Sequence, residues 1–160
     1  MEKVELIAKI NKEEKDFIRL INESEFITLS YGEISSFEKK IENIGHNNYE
    51  KLLNGREKQG LYIFYLKDEI LYVGENHMVN EKWDLSERLK QHFKIGDKGG
   101  LLYKFSNGNK EIALRLRNSL IANDVKLTYF TFNDRKTKQE ILFFESYLIG
   151  VLKPKYNFII

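Results

Sequence analysis

The chain has no cysteine, one proline and one tryptophan among its 160 residues. Without cysteine there is no disulfide framework and no thiolate metal site. Long apolar runs are missing too: none approaches the roughly 20 residues that a membrane span needs. The opening "MEKVELIAKINKEEKDF" carries too many charges for a secretory signal. Internal repeats, low-complexity segments and Pro- or Gly-rich linkers are also lacking. These absences leave a single domain of ordinary size, able to bury roughly two thirds of its surface. They set the expectation of a cytoplasmic protein with no membrane partner.

What is present is charge, unevenly placed. The formal net charge is only +2, yet residues 86–160 hold 14 Lys and Arg against 7 Asp and Glu, while residues 1–85 hold 12 against 17. A basic half rich in aromatics suits a polyanion such as nucleic acid. A solvated surface accounts for the same numbers equally well.

Residues 1–55 read as a helical, acidic extension packed on the domain. Leu6, Ile7, Ile10, Phe17, Ile18 and Ile21 follow helical spacing, and "SSFE" at 35–38 has the form of a capping box. From 56 to 160 the pattern changes. "GLYIFYLKDEILYVG" at 60–74 reads as a β-hairpin, apolar on both faces and so part of a covered sheet. "DLSERLKQHF" opens with a second capping-box pattern, Asp84 with Glu87, and "GDKGG" at 96–100 closes that helix. "LLYKF" at 101–105 reads as a short strand within an insertion at about 96–124. "VKLTYFTF" at 125–132 is a strand rich in β-branched and aromatic residues. "TKQE" at 137–140 caps a last helix, which Pro154 ends. The expected fold is α/β of the α+β type: a small three-stranded antiparallel sheet flanked by helices, with an N-terminal helical extension.

Glu145 is the residue that this fold explains least. Its helical neighbours at i±3 and i±4 are Ile141, Leu142, Leu148 and Ile149, all apolar. An unpaired buried carboxylate costs several kcal/mol or takes up a proton. A structural salt bridge, a protonated acid and a bound cation all remain open for it. Arg88 and His92, four apart on one helix, share a face. They combine a planar fork suited to phosphate with a ring that exchanges protons near neutrality. Tyr62 and Tyr72 sit one in each strand of the hairpin, where two core tyrosines are the ordinary reading. Asn157, after "PKY", is ordinarily a turn residue.

Taken in order, these pieces resemble the GIY-YIG nuclease superfamily: "Gly60-Leu61-Tyr62", "Tyr72-Val73-Gly74", Arg88 with His92, and Glu145 in "ESYLIGVLKPKYN" ending at Asn157. The resemblance covers about 60–157, with Leu61 and Val73 replacing the two isoleucines of the name. It implies hydrolysis of phosphodiester bonds in DNA with one divalent metal ion, Mg²⁺ or Mn²⁺. Glu145 would be the metal ligand. Tyr62 would be the general base or would position the attacking water, with Tyr72 beside it. Arg88 would bind the scissile phosphate. His92 would assist proton transfer or hold Tyr62, and Asn157 would support the site.

Two departures stand out. Glu75 follows the second glycine where many members carry Lys, Arg or Gln. The segment from 75 to 87 is long and brings His77, Lys82 and Trp83, with Lys82 a candidate for the missing cation. A stand-alone restriction-type enzyme is the leading expectation, a structure-specific repair or phage nuclease stands close behind, and cutting both strands would favour a homodimer. The alternative is a catalytically inactive or regulatory DNA-binding protein with the same fold.

Overall fold

The computed structural model describes residues 1–35 and 51–157. The helix expected after the 35–38 capping box falls outside them.

Three strands occupy the expected places: β2 (Gly60–Leu66), β3 (Glu69–Asn76) and β4 (Lys126–Thr131). A fourth, β1 (Glu25–Ser30), lies in the stretch that reads as helical. Its run Phe26-Ile27-Thr28-Leu29 is β-branched and aromatic, which favours a pleated, half-buried setting. It pairs antiparallel with β4, Phe26 opposite Phe130 with their rings stacked at 4.8 Å. The sheet order is β1-β4-β2-β3, every pair antiparallel, so β3 is an edge strand.

Helices cover both faces, as the doubly apolar strands required. On one face Leu61, Ile63, Val73 and Phe130 pack with Leu6 of α1 (Lys3–Lys9), with Phe17 and Ile21 of α2 (Lys15–Glu23), and with a C-terminal helix. On the other, Tyr62, Phe64, Tyr72, Leu127 and Tyr129 meet Tyr31 of α3 (Tyr31–Ser35) and Leu85 and Leu89 of α4 (Leu85–Gln91). Each fully buried large aliphatic side chain among them contributes about 1.5–3 kcal/mol.

The stretch 101–105 is a helix, α5 (Leu101–Ser106), where a strand was expected. A mostly apolar run of this length carries no decisive period. Here Asn107 in the left-handed region closes it into the following helix, α6 (Lys110–Ala122). The chain ends its regular structure in α7 (Lys138–Leu152), with the expected capping box between Thr137 and Glu140. Lys153, at φ 50°, stops it one residue before Pro154.

The hairpin carries one irregularity, and it decides where Tyr72 points. Register shifts between Phe64 and Tyr65, leaving Leu71 as an extra residue in β3. This β-bulge sets Tyr72 opposite Phe64 and Gly74 opposite Tyr62. Without it, the alternation of side chains along β3 would turn Tyr72 to the other face.

Candidate active site

Tyr62 lies in the middle of β2, and its ring lies over Gly74. A Cβ at Gly74 would stand 2.3 Å from the Tyr62 hydroxyl oxygen, so only glycine leaves room for the phenol. Tyr62 is wholly buried, with the Tyr72 ring centroid 6.3 Å away and that of His92 5.1 Å away.

Two groups from one turn of α4 converge on the Tyr62 oxygen. Arg88 Nε donates to it at 3.2 Å, and His92 Nε2 lies 2.8 Å from it. The α4 N-cap fixes where they point: Asp84 accepts from the Glu87 N–H at 3.0 Å, and its second oxygen accepts from the Glu57 N–H at 2.8 Å. The sequence pattern at Asp84 foretold the cap, although the expected box is only half made, since the Glu87 carboxylate accepts from Lys90 Nζ at 2.8 Å. The helix spacing foretold that Arg88 and His92 share a face.

The protonation of His92 follows from its neighbours. The Leu101 N–H donates to His92 Nδ1 at 3.2 Å, so Nδ1 carries no proton. Burial, together with the charges of Arg88 and Lys104, holds the ring well below the ordinary imidazole range and hence neutral. A neutral ring without Nδ1–H carries Nε2–H. His92 therefore donates to Tyr62, as Arg88 does. Two donors on a phenol oxygen favour its charged form, but burial outweighs them and keeps Tyr62 protonated. Burial pushes the Tyr62 hydroxyl up and Arg88 works against that shift. Tyr72 is also raised, again by burial first, with Arg88 opposing.

Glu145 comes from the opposite side. In α7 it sits at the rim of the buried stripe of Ile141, Phe144 and Leu148. Burial first, then the charge of Glu75, push its carboxyl up to about 7, against the pull of Arg88. Glu75, two residues beyond Val73 along β3, shares its face and so faces α7. Its carboxylate accepts from His77 Nδ1 at 2.9 Å. The site thus straddles the edge strand: phenols, guanidinium and imidazole on one face, two carboxylates on the other.

Asn157 is a strand surrogate. Its amide donates to the Val73 carbonyl at 2.7 Å and its oxygen accepts from the Val73 N–H at 2.8 Å. Together with backbone bonds from Lys155 to Ile70 and from Tyr156 to Leu71, it lashes the C-terminal segment along β3, next to Tyr72. Lys82 is exposed in the 77–84 loop, and Trp83 is half-buried.

No family model, curated protein or solved structure matches this chain. The site rests on its own geometry.

Sequence reasoning missed a second ring of residues around Arg88. Its Nη1 donates to Gln91 Oε1 at 2.7 Å and to the Gly99 carbonyl at 2.9 Å. Gln91 Nε2 donates in turn to Asp97 Oδ1 at 2.7 Å. In the sequence the "GDKGG" run reads only as a helix stop. Its one signal is the Asp placed two residues ahead of a Gly pair.

Among the described residues no group of three His, Cys, Asp or Glu side chains is placed to hold an ion, and no helix is long and apolar enough to cross a membrane. The donors at the β3 edge are hard carboxylate oxygens. They suit a cation that keeps most of its water and is held by one or two carboxylates.

Proposed function

We propose that this chain is a metal-dependent DNA endonuclease of the GIY-YIG type, hydrolysing phosphodiester bonds with Tyr62 as general base. The observation that carries the reading is the Tyr62 oxygen, which accepts from both Arg88 and His92 while Glu145 and Glu75 stand at the same strand edge. A decorative core tyrosine needs neither donor.

In this mechanism Arg88 binds the scissile phosphate, its guanidinium matching the phosphate oxygens and countering their growing charge. The Tyr62 oxygen is closed to solvent in the free protein, so substrate binding has to admit water to it while Arg88 stays on that oxygen. To act as base, Tyr62 first loses its own hydroxyl proton to solvent. The phenolate then takes a proton from the attacking water, whose oxygen bonds to phosphorus as the bond to the leaving deoxyribose oxygen breaks, and solvent protonates that leaving oxygen. His92, held neutral, stays a donor throughout and steadies the phenolate. Glu145, with Glu75 beside it, would hold a divalent cation, Mg²⁺ or Mn²⁺, whose charge relieves the two carboxylates. When bound, that ion supplies Lewis-acid stabilisation to the leaving oxygen. Tyr72, beside Tyr62 on the same face, would help to shape the pocket around the phosphate. Asn157 supports the site through the β3 backbone.

A restriction-type enzyme that cuts both strands fits two copies of the chain acting together, and DNA as substrate fits a cytoplasmic setting. The closure of Tyr62 favours a second reading: a DNA-binding protein that keeps the fold without the chemistry. Plasmid cleavage separates them. The wild type is expected to give discrete fragments with Mg²⁺ or Mn²⁺ and none with EDTA, and Glu145→Ala, matched for folding by circular dichroism, to give none. Bound but uncut DNA, the same for both proteins, would establish the second reading.

A further inference from the structure

The turn after α4 does more than stop a helix. Five residues, 97–101, fold back on α4 and touch both of the groups that donate to Tyr62. The Gly100 backbone lies against the Gln91 carbonyl so closely that a Cβ there would stand 2.1 Å from that oxygen. This approach sets the Leu101 N–H on His92 Nδ1 at 3.2 Å. Asp97 Oδ1 accepts from the Gly99 N–H at 3.0 Å and from Gln91 Nε2 at 2.7 Å. Because a carboxylate only accepts and a guanidinium only donates, the Gln91 amide has one possible orientation, Nε2 toward Asp97 and Oε1 toward Arg88. Arg88 Nη1 is then gripped by Gln91 Oε1 at 2.7 Å and the Gly99 carbonyl at 2.9 Å.

We infer that this turn is a positioning device: Gln91 and Asp97 hold the Arg88 guanidinium, and the Leu101 N–H selects the His92 tautomer, so that both present a donor to the Tyr62 oxygen. Gln91 and Asp97 are positioning residues, acting through Arg88. The Leu101 amide is a switch by geometry. Withdrawn, it frees Nδ1 to take the proton, and His92 Nε2 becomes an acceptor that competes for the Tyr62 hydroxyl proton. The inference rests on the Tyr62 reading for its meaning in catalysis, while its structural content stands apart from any cleavage.

A helix stop alone predicts that changes in the turn alter stability and nothing else. Ring-nitrogen NMR of the ¹⁵N-labelled full chain reads the tautomer directly, with His92→Gln assigning the signal. The wild type is expected to show neutral His92 with Nε2–H at pH 7. Gly100→Ala is expected to convert it to a mixture of tautomers. Asp97→Ala is expected to lower the cleavage rate constant about 100-fold with little change in KM, the penalty of a misplaced catalytic group. Asp97→Asn, which keeps an acceptor at Oδ1, is expected to recover most of that rate. A wild-type ring with Nδ1–H would overturn the inference. So would a folded Gly100→Ala chain with an unchanged tautomer and an Asp97→Ala chain with an unchanged rate. If Gly100→Ala does not fold, the tautomer and Arg88 side-chain signals of Asp97→Ala decide. A wild type that cuts no DNA, but whose tautomer follows the turn, would retain this inference and remove the nuclease reading.

Discussion

At the scale of single residues, Glu145 ties stability to pH. Its carboxyl titrates at about 7 in the folded chain because burial and Glu75 oppose its charge, against about 4.3 for a free glutamate. The folded state therefore binds a proton that the unfolded state has released between those values. Stability is fully present below the lower pKa and falls as pH rises through 7. Glu145→Gln mimics the protonated acid. Urea unfolding without divalent metal is expected to show no gain for it at pH 4, and a gain of about 1–2 kcal/mol at pH 8 once solvent screening of a partly exposed group is allowed for. An equal effect at both pH values would remove the repulsion argument. Arg88 offers a second test. Arg88→Lys keeps the charge yet loses the Nε donor to Tyr62 and the two acceptors on Nη1. Single-turnover cleavage is expected to slow about 100-fold while DNA affinity holds, since a point charge cannot replace a planar fork.

At the scale of elements, the caps were the most legible features. Asp84 and Thr137 announced α4 and α7 because a cap side chain and its N–H partner lie within one turn. The hairpin was legible from its apolar runs, although the bulge at Leu71 was invisible: it depends on how two strands twist together. β1 escaped because Phe26, Ile27 and Leu29 also fit a helical stripe, and only the distant β4 decides between the two. α5 escaped because so short a run, apolar but for Lys104, suits either state. Glu145 stood out as anomalous, while Glu75, whose charge adds to burial in raising its pKa, could be named as a departure but not placed. Asp84 is the most exposed to test. It caps α4 and also holds the Glu57 N–H. Asp84→Ala is expected to cost about 1–2 kcal/mol in chemical unfolding. It should also loosen both groups on Tyr62, so cleavage falls further than stability alone explains. A stability loss with full activity would show that α4 is held by its packing through Leu85 and Leu89.

At the scale of the whole molecule, the charge is arranged for modest attraction. Residues 86–160 bring the basic excess together with Arg88, whereas the acidic excess lies in the first half of the chain. Counterion release then governs affinity. Filter binding to plain duplex DNA is expected to weaken roughly 100-fold between 50 and 200 mM salt, the loss for about four phosphate contacts. Binding that ignores salt would contradict a phosphate-reading surface.

The pairing of the sheet also sets an order of events in time. Thr28 of β1 lies opposite Thr128 of β4, so the first strand to be synthesised waits for a partner about 100 residues behind it. At ordinary ribosomal speeds that delay lasts about 5–20 s. During it the N-terminal helices have only the β2–β3 hairpin to cover, and α7, which brings Glu145, follows later still. A chain built this way brings Glu145 to the β3 edge only after α7 has been made, well after Tyr62 and Arg88.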